Sequence, residues 1–211
     1  MSNTPSLILT ISRQYGSGGR AIAARLSKDL SIPYYDKSIL RINAEESGLK
    51  ESYFHLADEK PGDRILYRII NTLRPALTQP SYGSDLISAD NLFRFQSAVI
   101  RRLAAEESCI IVGRCGDYLL EGTPNLIRIY LYADFEYRVS RITSLGYHPE
   151  SEVPGIIRRK DKERRDYYRY YTGRGWEQPA NYDLSVNTAS LGTEGTVSLI
   201  KHYIQTKGYG A

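Results

Sequence analysis

The sequence contains the glycine-rich stretch Ser12-Arg13-Gln14-Tyr15-Gly16-Ser17-Gly18-Gly19-Arg20. It lies between an apolar, β-branched run at 7–11 and a pattern of Ile22, Leu26 and Leu30 at spacing four, which predicts a helix beginning near Gly19. A strand that enters a glycine-rich turn and then a helix directs several backbone N–H groups into one concavity at the positive end of the helix dipole. The stretch therefore predicts a phosphate-binding loop, with a glycine-rich turn that holds no ligand as the alternative.

The residues from Leu9 to Arg20, followed by Ile22 and Ala23, resemble the start of the cytidylate kinase-like family, relatives of the P-loop nucleoside monophosphate kinases. The resemblance implies an α/β fold of three layers: a mainly parallel sheet with helices on both faces, an acceptor-binding insert and a helical lid. It also implies ATP as phosphoryl donor, Mg²⁺ as cofactor and a small-molecule nucleotide as substrate. The residues to which it assigns ATP binding are Gly16, Ser17, Gly18, Gly19, Arg20 and Ala21.

The loop departs from the standard pattern GxxxxGK[ST], whose lysine contacts the β- and γ-phosphates and whose hydroxyl binds Mg²⁺. Matching the glycines puts Arg20 at the lysine and Ala21 at the hydroxyl. Aligning the helix to cytidylate kinases, whose loop ends GKGT, puts Gly19 at the lysine instead and Ala21 at the threonine. Since both alignments lose the hydroxyl, Ser17 is the predicted metal ligand, with Ser12 as a second candidate, and Arg20 is the predicted source of positive charge.

Composition limits the classes of protein to which the chain can belong. Its 211 residues, 41% of them hydrophobic, suit one domain with a sizeable core, and a net charge of +4 favours anionic partners without requiring nucleic acid. Cys109 and Cys115 have no histidine or cysteine at metal-ligand spacing, so two reduced thiols are expected. No signal peptide and no membrane span is predicted, which indicates a cytoplasmic protein.

The predicted parts of the single domain 1–211 are a core at 1–40, 91–149 and 177–211, an insert at about 41–90 and a lid at about 150–176.

Two charged residues follow predicted strands. Asp36 ends a short strand at 32–36, and the resemblance places it in the acceptor-binding region together with Arg41; Asp36 can equally cap the helix that follows. Arg114 follows the buried strand pattern at 109–112, and a charge beyond the carboxyl end of such a strand lies where open α/β sheets bind ligands. The family's contact to the acceptor phosphate falls on Arg114, with a salt bridge at the strand end as the alternative.

The identity of the acceptor base stays open. Cytidylate kinases often carry an acidic residue two positions before this arginine, whereas this chain has Val112. Asp117, on the following helix, is the one candidate to compensate for it.

Further helices are predicted at 89–107 and 134–145. In the first, Leu92, Phe95, Val99 and Leu103 recur at the spacing of a buried helix face. In the second, Val139, Ile142 and Leu145 are expected to point inward.

The segment 158–169 holds seven basic and three acidic residues among twelve. One interpretation is a solvated helix with i,i+4 ion pairs. The other, which its similarity to the arginine-rich lid of cytidylate kinases favours, is a lid that closes over the transferring phosphoryl group. The predicted catalytic arginines are Arg20, Arg158, Arg164 and Arg165.

The leading hypothesis is ATP-dependent phosphoryl transfer to a nucleoside monophosphate. Because the loop lacks its lysine, a catalytically impaired nucleotide- or anion-binding protein with the same fold is the main alternative. A nucleic-acid-binding module at 158–176 is a third, disfavoured by the small net charge. Whether the chain forms a homo-oligomer is left open.

Overall fold

A computed structural model describes residues 7–36 and 89–209. Five strands form one sheet in the order β2-β3-β1-β4-β5, and each adjacent pair is parallel. The strands are β1 (Ile8–Arg13), β2 (Tyr34–Tyr35), β3 (Cys109–Val112), β4 (Leu126–Tyr132) and β5 (Leu184–Asn187). The predicted parallel α/β fold is therefore confirmed.

Helices connect the strands. They are α1 (Gly19–Leu30), α2 (Ala89–Glu106), α3 (Gly116–Leu119), α4 (Phe135–Ser144), α5 (Val153–Thr172) and α6 (Thr188–Thr206), with 3₁₀ turns at Glu150–Glu152 and Pro179–Asn181. Helix α6 is interrupted at Gly192, whose φ of 63° and ψ of −174° are not helical. None of the helices described has the length and apolar character needed to span a membrane.

The sheet is covered on both faces because the side chains of its inner strands alternate between two apolar layers. Leu9 and Ile11 of β1 face the layer built with α1 and α6, where Leu26 and Ile200 are fully buried. Ile8 faces the opposite layer, built with α2 and α3. Of the inward residues predicted for α2, Phe95, Val99 and Leu103 are buried, and the side chain of Leu92 lies outside the described part.

The boundaries of two elements differ from the prediction. Strand β2 has only two residues. The Pro33 carbonyl accepts the first bond of the ladder from the Ile110 amide at 2.9 Å, but Pro33 has no N–H with which to extend the ladder further. The prediction that Leu145 points inward is wrong, since it lies beyond the last turn of α4 and is 42% exposed. The predicted insert at about 41–90, with Arg41, lies almost entirely outside the described residues.

The strand order brings the predicted phosphate loop and the predicted acceptor residue together. Strand β1 pairs directly with β3, with Ile11 opposite Val112. The carboxyl ends of the two strands, with Arg13 on one and Gly113-Arg114 on the other, therefore meet at the same edge of the sheet.

Candidate functional site

The glycine-rich stretch forms a tight turn between β1 and α1. Gly16 and Gly18 have φ of 88° and 85°, values that favour glycine, and Gly18 is the N-cap of α1. Within the described ranges, no acceptor is found for the backbone N–H groups of Gly18, Gly19 and Arg20. Three donors at the positive end of α1 are thus available to an anion.

A buried ion pair between α4 and α5 contacts the backbone of the turn at Tyr15. Asp161 of α5 accepts a hydrogen bond from the Tyr15 amide at 2.7 Å and pairs with Arg138 of α4. Arg138 also donates to the carbonyl groups of Tyr15 and Ala133, at 3.1 and 3.0 Å. The predicted lid helix is therefore attached to the loop in this structure.

The hydroxyl group of Ser17 does not face open space. The residue is 1% exposed, and its Oγ donates to the Gln14 carbonyl at 2.9 Å, while the Ser17 carbonyl accepts from Thr188 Oγ1 at 2.8 Å. Ala21, at the usual hydroxyl position, has no donor oxygen in its side chain. Residues 7–36 and 89–209 contain no cluster of three or more His, Cys, Asp or Glu that could hold a metal. Ser17 and Ala21 therefore do not fit Mg²⁺ as direct ligands, whereas Ser12, the second predicted candidate, lines the cavity described below.

Arg164, one of the predicted catalytic residues, reaches the loop from α5. Its Nη1 donates to the Arg13 carbonyl at 2.7 Å, and its guanidinium lies 5.6 Å from the centre of the Tyr15 ring. Burial lowers the pKa of Arg164 below its usual value. A partly buried guanidinium beside the loop is well placed to bind an anion there.

Arg114 lies on an unusual backbone turn at the end of β3. Gly113, Arg114 and Cys115 have φ of 79°, 58° and 56°, and non-glycine residues in this region mark strained turns that are common at functional sites. The Arg114 guanidinium lies 5.4 Å from the centre of the Tyr167 ring of α5. The turn therefore directs Arg114 towards helix α5.

A cavity of about 430 Å³ lies between the ends of β1 and β3 and helix α5. Its aromatic lining comes from Tyr15, Tyr167, Tyr168 and Trp176, and its charged lining from Arg13, Arg114, Lys160, Glu163 and Arg164. Four cationic side chains face one carboxylate, so the cavity is suited to an anionic ligand.

Three predicted residues have other partners. Arg20 pairs through Nε with the buried Asp36 at 3.1 Å, while its own side chain is 75% exposed. Arg158 lies 4.6 Å from the centre of the Phe135 ring, and Arg165 donates to Glu177 at 3.2 Å. Their catalytic assignment stays a prediction, and it requires these guanidinium groups to leave their partners when a nucleotide binds.

Asp117 does not face the cavity. It is 3% exposed and accepts a hydrogen bond from the Tyr168 hydroxyl at 2.6 Å, and burial raises the pKa of its carboxyl group. The contact joins α3 to α5. Asp117 therefore supports helix α5 in this structure.

Both cysteines are buried and free. Burial raises the pKa of Cys109 and of Cys115 to about 12, so both thiols stay protonated at neutral pH.

The site predicted from the sequence did not include Arg13, Lys160 or the contact between Arg138 and Asp161. Arg13 had a signal, because it is a charged residue at the first position of a glycine-rich loop. The pair had none, since its residues lie 23 positions apart and meet only through the packing of α4 on α5.

Comparison with known proteins places these features in a family. A sequence model of the cytidylate kinase-like family matches residues 8–190. The chain belongs to the cytidylate kinase-like family. This membership and the fold support nucleotide kinase function in general terms.

Individual proteins are similar to this chain in sequence or in structure. The cytidylate kinase of Sulfurisphaera tokodaii is 27% identical over 206 residues, which cover 94% of this chain and 95% of that protein. An uncharacterized protein from Eubacterium ventriosum has a similar structure, with a TM-score of 0.70 and 22% identity over 95% of this chain and 99% of its own. The shikimate kinase of Bacteroides thetaiotaomicron, with a TM-score of 0.51, 11% identity and coverage of 94% and 98%, shares the fold.

Proposed function

We propose that this protein transfers the γ-phosphoryl group of ATP to a nucleoside monophosphate. The observation that supports the proposal is the cavity beside the loop, which Arg13, Arg114 and Arg164 line with positive charge. The loop adds three amides for which no acceptor is found in the described ranges. Phosphoryl transfer depends mainly on positioning and on positive charge around the moving group, and guanidinium groups supply both.

The residues have separate roles in this mechanism. The amides of Gly18, Gly19 and Arg20 bind the phosphates of the donor. Arg114, at the end of β3, binds the phosphate of the acceptor, and Arg164, on the lid helix, stabilises the charge of the transferring group. The aromatic lining and the attached lid helix keep water away, which limits hydrolysis of the donor.

Magnesium is expected to arrive with ATP, bound by the nucleotide itself. Because Ser17 and Ala21 do not fit as ligands, no step is assigned to a metal held by the described residues.

The second candidate is a nucleotide-binding protein without kinase activity. It is favoured by the absence of an open hydroxyl group at positions 17 and 21. Both candidates predict binding of ATP, and only the first predicts transfer.

The experiment combines calorimetry of ATP binding with a transfer assay. The acceptor panel contains CMP, dCMP, UMP, AMP and GMP. Shikimate is added because a shikimate kinase shares the fold. The kinase proposal expects transfer to at least one monophosphate, and loss of about 10³-fold or more in kcat for Arg164→Gln. Arg169→Gln, an exposed change on the same helix, is the control. Binding of ATP without transfer to any acceptor would support the second candidate.

A further inference from the structure

Arg13, the last residue of β1, has a side chain that crosses the start of α1. An ideal Cβ built on Gly19 would lie 2.7 Å from Arg13 Cγ and 2.9 Å from Arg13 Cβ. A Cβ on Gly113 would overlap Arg13 Nη1. The side chain therefore passes over the first residue of α1 and ends beside the turn that follows β3.

The spacing of the loop relates positions 13 and 19 to the standard pattern. In GxxxxGK the two glycines are five positions apart and the lysine follows the second. With the N-cap Gly18 as the second glycine, the first falls on Arg13 and the lysine falls on Gly19. Compared with the standard loop, the glycine and the cation have therefore swapped places: the cation is at position 13 and the glycine is at position 19.

The charges around Arg13 favour an anionic ligand. Its guanidinium has no hydrogen-bond partner in the described part of the chain, and the charges that act on it come from Arg164, Arg20 and Arg114, opposed by Asp36. Burial, with Arg164 adding to the effect, lowers the pKa of Arg13 to about 9, so the group is still protonated at neutral pH. A bound polyanion would relieve the repulsion among these cations.

We infer that Arg13 replaces the missing loop lysine and binds the β- and γ-phosphate oxygens of the donor from the strand side. The inference deepens the proposed function and rests on it for the identity of the donor. A planar guanidinium makes paired hydrogen bonds to phosphate oxygens, where lysine acts as a point charge. Gly19 has no side chain because that space is occupied by the Arg13 side chain.

The experiment measures binding of ATP and of inorganic tripolyphosphate by calorimetry. The variants are Arg13→Gln, Arg13→Gly, Gly19→Lys and the double change Arg13→Gly with Gly19→Lys, with Arg169→Gln as the control. Circular dichroism confirms that each variant is folded. Tripolyphosphate is included because it has the phosphates of the donor without its base or sugar.

Arg13→Gln is expected to weaken binding of both ligands about 10- to 100-fold, the effect of losing hydrogen bonds to a charged group. The single change Gly19→Lys puts two cations into one space and is expected to weaken binding as well. The double variant, which restores the standard arrangement, is expected to bind tripolyphosphate more tightly than either Arg13→Gly or Gly19→Lys.

The outcomes separate this inference from the proposed function. Wild-type affinity in Arg13→Gln, or a double variant that binds no tighter than Arg13→Gly, would overturn the role of Arg13 and leave the kinase proposal standing. Binding that depends on Arg13, together with no transfer to any acceptor, would support the inference and remove the kinase proposal. A wild-type protein that binds neither ligand would overturn both.

Discussion

At the scale of single residues, glycines leave the space that the Arg13 side chain occupies. Gly113 has a φ of 79° and lies against the end of the Arg13 side chain, whereas Gly122 has a φ of 81° and nothing within 4 Å of its would-be Cβ. The two glycines thus share a backbone conformation and differ in their surroundings. They form a matched pair for testing the position of Arg13.

We predict that Gly113→Ala and Gly122→Ala lower the free energy of unfolding by a similar amount, about 1–2 kcal/mol, because both force an L-residue into a left-handed conformation. Only Gly113→Ala is expected to weaken ATP binding, since its methyl group displaces the Arg13 guanidinium. Urea unfolding and calorimetry measure the two effects. Equal ATP affinity in both variants would contradict the described path of Arg13.

The sequence was sufficient to locate the loop, whereas the contacts of the charged residues around it depend on distant parts of the chain. Arg20 follows the glycines directly, so it was the nearest candidate for the lysine. In the structure it pairs with Asp36, which lies 16 residues later, just after β2. The approach of Arg13 to Gly113 depends on the pairing of β1 with β3 across 100 positions. Contacts of this kind have no local signal in a single sequence.

At the scale of elements, α5 is attached to the loop by charge as well as by apolar packing. Asp161 is 6% exposed, accepts a hydrogen bond from the Tyr15 amide and forms an ion pair with Arg138. Asp166, one turn further along the same helix, makes an ion pair with Lys162 that is largely exposed.

We predict that Asp161→Ala lowers the free energy of unfolding by about 3–5 kcal/mol, because it leaves a buried guanidinium without its counterion. Asp166→Ala, the control, is expected to cost less than about 0.5 kcal/mol, as exposed helix pairs do. Urea titration of both variants gives the comparison. If the two changes proved equally mild, the contact between helix and loop would not stabilise the fold.

The hydrogen bond between α3 and α5 gives a prediction about pH. Burial raises the pKa of Asp117, so the folded protein keeps this proton at a pH where the unfolded chain, with a pKa of about 3.9, has released it. The contribution of Asp117 to stability is therefore present at low pH and is lost as pH rises from about 3.9 through the folded pKa.

We expect Asp117→Asn, which does not titrate, to remove this loss, so that its stability relative to wild type increases as pH rises from 4 to 7. Urea unfolding at several pH values measures the difference. A difference between the two proteins that stays constant with pH would show that the carboxyl group is not perturbed.

The architecture of the whole molecule could be predicted further than its site. The order of elements was legible because each strand is a short apolar run and each helix has a regular apolar face, as in β3 and α2. The hydrogen bonds that position Tyr15 could not be predicted, since they come from α4 and α5, more than 120 residues away. Local patterns determine which elements form, whereas the site depends on how distant elements pack.

Ligand binding should stabilise the whole molecule. At an ATP concentration 100 times its Kd, mass action is expected to contribute about 2.7 kcal/mol. For a chain of this length that corresponds to an increase in Tm of about 5–11 °C, measurable by differential scanning calorimetry. RNA at low salt is the comparison: a larger increase with RNA than with ATP would favour the nucleic-acid-binding hypothesis.

The contact between Arg13 and Gly19 has a consequence for the descent of such loops. An arginine at the first position excludes any β-carbon at the seventh, so a chain that carries both cations is crowded, and a chain that carries neither lacks the charge. Changes at the two positions are therefore expected to be inherited as a pair. Searches for nucleotide-binding loops that require a lysine at the seventh position will therefore miss sequences that carry arginine at the first position and glycine at the seventh.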